Sequence, residues 1–348
     1  MADKFLAELG KEILLQKNYL ENSKVETIYI GGGTPTVLKA MQIGDILEKI
    51  NDAFDVSENA EITIEANPDD INKVYAKDLK KAGVNRISLG IQSWNDIILK
   101  KLNRRHTAEE AKDALNNILS AGIENISVDM IYGIPGLTAK QWTEDLQKTL
   151  GFDIKHLSAY HLTVEPNTVF GKMKKAGELK EIPEEESENQ FNILTKLCKK
   201  YNYIQYEISN FCKDGYFSIH NTNYWKQQPY LGLGPSAHSY NGETRQWNIS
   251  DLSEYLRSLE YNKIPFTREI LTTKDRYNEY VMTSLRTMWG VSLDFVEDNI
   301  NKESRDYLSN LATRFVRYGM ITRDGNRLVL TDQGKMISDN IISELMMV

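Results

Sequence analysis

One short pattern recurs in the first half of the sequence and restricts the folds that this chain can adopt. Residues 81–89 (KAGVNRISL) correspond to residues 120–128 (SAGIENISV) at an offset of 39 residues, and residues 151–158 form a looser third copy. Each copy has the pattern of a helix end, a glycine that stops the helix, and an apolar strand. A strand–helix unit repeated at this spacing gives parallel strands with right-handed crossovers. The repeat therefore predicts an α/β fold that is a β/α barrel or part of one.

The other predicted elements extend this unit along the chain. We expect strands at 25–30, 61–68, 86–93, 125–131, 156–163 and 203–211, and helices at 5–20, 39–54, 70–82, 108–121, 138–151 and up to about 201. Residues 212–247 are rich in aromatic side chains and have no regular period. Helical patterns at 274–289, 293–318 and 334–346, with a hairpin at 321–331, predict a winged-helix-like domain. We therefore divide the chain into a partial barrel (1–170), a barrel-completing region (171–250) and a C-terminal domain (251–348).

Polar and glycine residues follow the ends of the predicted strands. Strand 25–30 runs into Gly31, Gly32, Gly33 and Thr34, and three adjacent glycines let peptide N–H groups approach a ligand closely. This loop lacks the Lys-Ser/Thr pair of a phosphate loop. When the loop is considered alone, a tight turn without a ligand explains it as well as a binding loop does.

Five more polar residues lie at the ends of the later strands or in the loops after them. They are Glu65, Gln92, Asp129, Thr163 and, in the loop after strand 86–93, Arg104. Functional groups of β/α barrels gather at this end. Carboxylates bind an ammonium group or ribose hydroxyls, and arginine binds a carboxylate. The set therefore suits a zwitterion that carries a diol.

Composition excludes several classes of protein. No apolar run approaches a membrane-spanning length, and residues 1–20 lack the layout of a signal peptide, so we expect a cytoplasmic protein without a transmembrane segment. The net charge is −7 and no long Lys/Arg tract occurs, which argues against nucleic acid as a partner. The two cysteines, Cys198 and Cys212, exclude a disulfide framework and cannot by themselves ligate an iron–sulfur cluster.

Six segments together resemble a known family. They are 29–35 (YIGGGTP), 64–68 (IEANP), 90–94 (GIQSW), 103–104 (NR), 128–135 (VDMIYGIP) and 206–210 (YEISN). These segments are similar to the radical S-adenosylmethionine family of oxygen-independent coproporphyrinogen III oxidases (HemN), and more closely to its HemW heme chaperone branch. The resemblance covers essentially the whole chain. It implies a partial (β/α)6-type barrel that lacks its first strand, followed by a C-terminal helical extension.

The resemblance also assigns roles to residues of the predicted site. The rim from Gly31 to Thr34 would meet the amino group of S-adenosylmethionine, and Glu65 would help to hold that end. Arg104 would bind the carboxylate, and Gln92 and Asp129 the ribose. Tyr132 and Thr163 would lie near the adenine.

One element of the family pattern is absent from this sequence. Members carry Cys-x-x-x-Cys-x-x-Cys ahead of the glycine loop, where three thiolates bind a 4Fe–4S cluster, whereas here no cysteine precedes Cys198. Because the strand and its loop are absent together, we interpret this as truncation rather than gradual loss, and we expect no cluster-dependent cleavage of S-adenosylmethionine. Cys198 has the spacing of a core thiol, and Cys212 is at most a single soft ligand.

The segment His220-Asn221-Thr222-Asn223-Tyr224-Trp225 matches the H-N-x-x-Y-W signature of the HemW branch. A neutral imidazole is a good axial ligand for heme iron, so His220 is the candidate ligand and His238 a second one. The alternative is that His220 hydrogen-bonds a loop while the aromatic rings fill a core.

Two main functions follow from the resemblance. The favoured one is a heme chaperone that binds heme or a related porphyrin and delivers heme to an apo-hemoprotein. The alternative is an oxidase that converts two propionates of coproporphyrinogen III to vinyl groups. A winged-helix regulator is disfavoured by the acidic composition.

Overall fold

The computed structural model describes residues 2–21 and 23–348. The chain divides into two compact units. The barrel unit comprises Ile28–Met41 and Glu61–Ser218, and the terminal unit comprises Met1–Thr27, Gln42–Ala60 and Ile219–Val348. The three predicted domain boundaries stay a prediction, because these units are not continuous in sequence.

A seven-stranded sheet is the main feature of the first two thirds of the chain. Its strands are β1 (Val25–Ile30), β2 (Val56–Ala66), β3 (Arg86–Gln92), β4 (Asn125–Tyr132), β5 (His156–His161), β6 (Ile204–Gln205) and β7 (Asn210–Cys212). They follow the order β1-β2-β3-β4-β5-β7-β6, and β2, β3, β4 and β5 are parallel. The predicted α/β class with repeated parallel strands is confirmed.

Helices connect these strands as the repeat predicts. They are α2 (Ala40–Ala53), α3 (Lys73–Lys81), α4 (Asp96–Lys101), α5 (Ala108–Ser120), α6 (Ala139–Leu150), α7 (Val169–Lys175) and α8 (Glu184–Lys200). Both predicted capping boxes form, Thr107 with Glu110 and Thr138 with Gln141. Short 3-10 turns at Pro35–Val37 and Pro68–Asp70 follow β1 and β2. Each begins with a proline whose fixed φ suits the first position of a helical turn.

The interior of the barrel unit is polar where most β/α barrels are filled with branched apolar side chains. Glu61, Thr63, Arg86, Ser127 and His156 are all less than a tenth exposed. The apolar residues of the same strands, such as Ile87 and Val128, alternate with them and are fully buried. Since side chains alternate between the two faces of a strand, one face of this sheet is polar and the other is apolar.

The terminal unit begins with α1 (Ala2–Leu15) and resumes with α9 (Ile219–Trp225) and α10 (Leu252–Glu260). A three-stranded antiparallel sheet consists of β8 (His238–Tyr240), β9 (Thr244–Asn248) and β10 (Phe266–Ile270).

The C-terminal elements of the same unit are α11 (Thr273–Leu285), β11 (Val291–Ser292), α12 (Leu293–Asn299), α13 (Lys302–Arg317), β12 (Ile321–Asp324), β13 (Arg327–Leu330), α14 (Asp332–Met336) and α15 (Ser338–Leu345). The predicted hairpin is present as the antiparallel pair of β12 and β13. The helices pack with this hairpin around one apolar core that includes Val281, Leu308 and Leu328. A helical C-terminal domain is therefore confirmed.

Two local predictions are wrong. The strand predicted at 203–211 is two short antiparallel strands, β6 and β7, with residues 206–209 between them. The Tyr206 N–H donates back to the Asn210 carbonyl at 3.2 Å, so the chain reverses there instead of extending. The region 212–247 is also less irregular than predicted, because it contains helix α9 and strands β8 and β9. None of the described helices has the length and apolar composition needed to cross a lipid bilayer.

Candidate functional site

The glycine loop after β1 is held against β2 by one carboxylate. Glu65 Oε1 accepts a hydrogen bond from the Tyr29 hydroxyl at 2.7 Å, and Oε2 accepts one from the Gly32 N–H at 3.2 Å. A β-carbon at Gly31 would lie 2.6 Å from a ring carbon of Tyr29 and 2.8 Å from Glu65 Oε1, so a side chain does not fit there. Gly32 and Gly33 have φ values of +78° and +79°, which favour glycine. The three glycines are therefore required by packing and by backbone geometry.

Arg104 lies beside the end of β3, although it follows the strand by twelve positions. Its Nη2 donates to Asn67 Oδ1 at 2.6 Å and to the Gly90 carbonyl at 3.0 Å. Burial lowers the pKa of the guanidinium, and the nearby carboxylates of Asp69 and Asp129 partly oppose this effect. These bonds fix a cation at the edge where β2 and β3 end.

Gln92 ends β3 in an uncommon backbone conformation, with φ at +69°. Its side chain folds back toward Gly90, because a β-carbon on Gly90 would lie 2.9 Å from Gln92 Nε2 and 3.3 Å from Arg104 Nη2. Gln92 and Arg104 are therefore neighbours across the Gly90 backbone. Glycine is required at position 90 because both side chains lie over it.

Asp129, on β4, is the second carboxylate of this edge. The Ser88 hydroxyl lies within hydrogen-bonding distance of both of its oxygens, at 3.1 and 3.0 Å. Gly90 pairs with Asp129 in the sheet, and Glu65 pairs with Ser88, so these residues lie on one face. Burial raises the pKa of Asp129 to about 6, with a further increase from the negative charge of Glu65.

A hydrogen-bonded chain continues from Asp129 into the interior of the barrel unit. Ser127 Oγ is 3.5 Å from Asp129 Oδ1 and 2.8 Å from His156 Nδ1. His156 Nε2 in turn is 2.7 Å from the Tyr206 hydroxyl. Burial, reinforced by the charge of Arg86, lowers the pKa of His156 well below its usual range, so the ring is neutral.

The structure brings most of the sequence-predicted site residues to one end of the sheet. Glu65, Gln92, Arg104 and Asp129 join the glycine rim there through the contacts above. Thr34 also belongs to this edge, because its hydroxyl accepts from Asn67 Nδ2 at 3.5 Å. The arrangement offers carboxylates, a fixed guanidinium and a glycine loop, and so suits a small ligand that carries both charges and hydroxyl groups.

Tyr132 and Thr163 are placed differently. The Tyr132 ring is buried among Trp142, Phe191 and His161, with ring centroids 5.8, 6.4 and 5.2 Å away. It therefore packs toward the helical layer, whereas Asp129 is on the opposite face of β4. Thr163 is exposed and lies two residues beyond the end of β5. Neither side chain is brought into contact with the carboxylates or Arg104 by a described interaction.

His220 belongs to the terminal unit, where it is the second residue of α9. Its Nδ1 is 2.9 Å from the Thr27 hydroxyl, and its ring meets the Tyr224 ring edge-on at 4.9 Å. Tyr224 is 41% exposed and contacts Tyr230, whose ring centroid is 4.5 Å away. Tyr230 in turn packs against Tyr240 at 6.2 Å. The signature segment thus places a histidine beside a row of aromatic rings, of which Tyr224 and Tyr230 are partly exposed and Tyr240 is buried.

His238 lies on β8 and its ring stacks on Trp247 with centroids 6.0 Å apart. The stacked contact gives His238 a packing role on this small sheet. It remains the second candidate from the sequence.

Both cysteines are buried and reduced. Burial raises the pKa of the Cys198 thiol well above its usual range and that of Cys212 to about 12, so both are protonated at neutral pH. Within residues 2–21 and 23–348, no three His, Cys, Asp or Glu side chains are grouped to hold a metal ion. Cys198 and Cys212 therefore do not suit a 4Fe–4S cluster, which takes thiolate ligands.

The sequence assigns no role to several residues that support the site. Tyr29 fixes Glu65, Asn67 fixes Arg104, and Ser88 bonds Asp129. These three residues lie on or beside β1, β2 and β3. The alternation of side chains between the two faces of a strand is therefore the sequence signal that could have placed them at the site.

This chain is similar to known proteins over most of its length. A family model described as the radical SAM superfamily matches residues 9–149, and one described as the HemN C-terminal domain matches residues 271–337. A relative from Bacillus subtilis named heme chaperone HemW is 33% identical, and the match covers 97% of this chain and 90% of the relative. One of the same name from Lactococcus lactis is 32% identical, over 94% and 86% of the two chains.

Among solved structures, the radical SAM enzyme coproporphyrinogen III oxidase (HemN) from Escherichia coli has a TM-score of 0.85 and is 22% identical. That match covers 99% of this chain and 83% of the other, and at this identity it shows a shared fold. The identity and extent of the matches to the two HemW relatives lead to one conclusion. The chain belongs to the HemW heme chaperone family, within the radical S-adenosylmethionine superfamily.

Proposed function

We propose that this protein binds heme and delivers it to an apo-hemoprotein. The observation that carries the proposal is the signature segment on α9, in a chain whose relatives are named heme chaperones. The partly exposed rings of Tyr224 and Tyr230 offer apolar area to a porphyrin face, and His220 offers an imidazole beside them. No role for nucleic acid is proposed.

The iron ligand is proposed to be His220. Its Nδ1 is close to the Thr27 hydroxyl at 2.9 Å, so ligation through Nε2 would leave that contact in place. A hydrogen bond to the other ring nitrogen orients a ligating imidazole and raises its basicity. Thr27 is therefore proposed to orient the His220 imidazole.

We further propose that the strand-end site of the barrel unit binds S-adenosylmethionine. Glu65 and the glycine rim (Gly31, Gly32, Gly33 and Thr34) would hold the ammonium end, and Arg104 the carboxylate. Gln92 and Asp129 would hold the ribose hydroxyls. Thr163 is retained as a neighbour of the adenine, while the packing of Tyr132 argues against a direct contact from its side chain. The open space over the rim supports the fit, because a β-carbon at Gly32 or Gly33 would meet no atom within 4 Å.

In the radical SAM superfamily, a 4Fe–4S cluster supplies the electron that cleaves S-adenosylmethionine. Cys198 and Cys212 are buried thiols that do not fit such a cluster. What the chain's own residues do at this site is to bind and orient the ligand's charged groups.

Heme titration tests the main proposal. The wild-type chain should give a Soret band that saturates with hemin, and His220→Ala should shift that band and weaken binding about tenfold or more, as expected for the loss of an axial ligand. His238→Ala tests the second candidate ligand; because that ring stacks on Trp247, this variant should keep the wild-type band and affinity, and loss of the band in this variant alone would make His238 the ligand. An unchanged band and affinity in His220→Ala would remove His220 as the ligand.

Two further assays separate the proposal from its alternatives. Heme transfer is measured by mixing the heme-loaded protein with an apo-hemoprotein. The absorption spectrum of the heme-loaded acceptor should appear. Coproporphyrinogen III incubated with the protein should remain unchanged, because only an oxidase would convert it to protoporphyrinogen. Conversion without heme transfer would overturn the chaperone proposal.

A further inference from the structure

The chain leaves β3 through a turn with unusual backbone geometry. The Ser93 N–H donates to the Ile91 carbonyl at 2.9 Å, which closes a three-residue turn with Gln92 at its centre. With φ at +69°, Gln92 gives this turn its rare and strained form. The strand register also shifts between Gly90 and Gln92. Such a conformation persists when the surrounding structure holds it in place.

Asp145 on α6 holds the two residues that follow Gln92. Its Oδ2 accepts from the Ser93 hydroxyl at 2.6 Å, and its Oδ1 accepts from the Trp94 N–H at 3.1 Å. The Asp145 residue is only 4% exposed, so these bonds are made in a shielded environment. Burial raises the pKa of Asp145 to about 6, and the carboxylate is mostly ionised at neutral pH.

The Trp94 side chain adds a second anchor on the same helix. Its Nε1 donates to Thr149 Oγ1 at 2.8 Å, one helical turn after Asp145. The ring stacks on Phe152 at 5.5 Å, and Lys148 Nζ lies 4.2 Å from its centroid. The position of Trp94 is therefore fixed through both its backbone and its side chain.

Buried polar groups hold the other side of the turn. His106 Nε2 is 3.1 Å from the Ile91 carbonyl, and the residue is 3% exposed. Arg104 donates to the Gly90 carbonyl. The residues on both sides of Gln92 are thus held by groups that come from α6 and from the loop before α5.

We propose that Asp145 is a positioning residue for the S-adenosylmethionine site, and that it acts by holding Gln92 in its strained turn. This inference rests on the proposed function. Asp145 itself lies behind the turn and bonds Ser93 and Trp94. Its effect on the ligand therefore passes through the position of Gln92.

The experiment measures the affinity for S-adenosylmethionine by calorimetry. Gln92→Ala should weaken binding about tenfold, which is the loss expected for one good hydrogen bond. Asp145→Ala should weaken it by a similar factor. Asp145→Asn should have a smaller effect because one acceptor oxygen remains. Glu144→Gln, at an exposed position of the same helix, is the matched control and should bind as wild type.

Two more variants separate positioning from a general loss of folding. Ser93→Ala removes the hydroxyl's bonds to Asp145 and to the Asn95 N–H but leaves the Trp94 N–H bonded to Asp145, so it should fold and should weaken binding. Asp145→Ala introduced into Gln92→Ala should cause no further loss, since the residue that it positions is already absent. A further loss of about tenfold in that double variant would show that Asp145 acts by another route and would overturn the inference.

The failures of the two proposals are distinguishable. If wild-type protein does not bind S-adenosylmethionine, the site assignment fails and the inference fails with it. If wild type binds and Gln92→Ala is weakened while both Asp145 variants match wild type, only the inference is overturned.

Discussion

Glu12 of α1 is a fully buried carboxylate of the terminal unit with three hydrogen bonds, and its replacement by glutamine should be costly. Glu12 Oε2 accepts from the Gly234 N–H at 2.8 Å and from the Tyr255 hydroxyl at 2.5 Å, and Oε1 accepts from Asn248 Nδ2 at 2.6 Å. A glutamine has the same shape but offers one acceptor oxygen in place of two.

The magnitude follows from these three bonds. If the amide oxygen of the introduced glutamine faces Gly234 and Tyr255, its NH₂ group faces the NH₂ group of Asn248. Asn248 does not gain by turning over, because Nδ2 also donates to the Gly234 carbonyl at 2.9 Å. One bond to a charged group is lost, worth about 1.5–3 kcal/mol, and two others become neutral and weaker. Removing a buried charge offsets part of this, so we expect Glu12→Gln to lower the free energy of unfolding by about 2 kcal/mol.

The pH dependence gives a second signature. Burial raises the pKa of Glu12 above its value in the unfolded chain. The folded state therefore binds a proton more tightly, and wild type gains stability as pH falls through the folded pKa toward the unfolded one. Glutamine cannot gain this proton, so the deficit of Glu12→Gln should grow as the pH is lowered from the alkaline side toward the unfolded pKa of a glutamate.

Urea unfolding followed by tryptophan fluorescence measures both effects. Tyr255→Phe removes one of the three donors and should cost about 1 kcal/mol. Because the two residues share one hydrogen bond, the double variant should be less destabilised than the sum of the single variants. A Glu12→Gln deficit below about 0.5 kcal/mol, or one that shrinks on acidification, would refute the reasoning.

Two further predictions concern the strand-end site. Gly31→Ala should lower the free energy of unfolding by about 1–3 kcal/mol and weaken S-adenosylmethionine binding, because the new methyl group would overlap Tyr29 and Glu65. Thermal unfolding measures the stability and calorimetry measures the affinity. A variant that matches wild type in both would contradict the close approach at Gly31. The pKa of Asp129 is raised to about 6, so wild-type affinity for S-adenosylmethionine should fall as the pH drops through that value, since the protonated carboxyl is a weaker acceptor for ribose hydroxyls. Asp129→Asn should bind more weakly at neutral pH and lose this pH dependence, and an equally steep profile in that variant would assign the titration to another group.

The repeat and the local capping signals are sufficient to predict much of the fold. The helix-glycine-strand copies predict parallel strands β3 and β4, and Thr107 and Thr138 mark helix starts that form as capping boxes. Residues 203–211 mislead because their alternating apolar pattern suits a strand, while a contact of the Tyr206 N–H with Asn210 turns the chain. Helix α9 is hard to predict because its aromatic and amide residues have weak helical preferences and because its sequence has little apolar periodicity.

The residues of the candidate site also fall into two groups, those that the sequence predicts and those that only the packing reveals. Gln92 ends β3, and Glu65 and Asp129 lie near the ends of β2 and β4. These strands are visible in the sequence, and parallel pairing brings such ends together. Asp145 is separated by 52 positions from the Ser93 hydroxyl that it bonds, and in sequence it looks like any acidic position of an amphipathic helix. Its role appears only when α6 is packed against the end of β3. Tyr132 lies three positions after Asp129 on one strand, and strand alternation therefore places its ring on the opposite face.

The buried hydrogen-bonded chain from Asp129 to Tyr206 links a carboxylate to an imidazole. An ionised Asp129 only accepts, and the Ser127 hydroxyl lies between it and His156, with Ser158 Oγ as a further neighbour at 3.2 Å. When Ser127 donates to Asp129, the neutral ring carries its proton on Nδ1, and Nε2 receives the Tyr206 hydroxyl proton. A protonated Asp129 can itself donate, which allows the donors in this row to reverse. The tautomer of one histidine in the middle of the barrel unit is thereby coupled to the charge at its open edge, and ¹⁵N chemical shifts of the imidazole would report that charge from the interior.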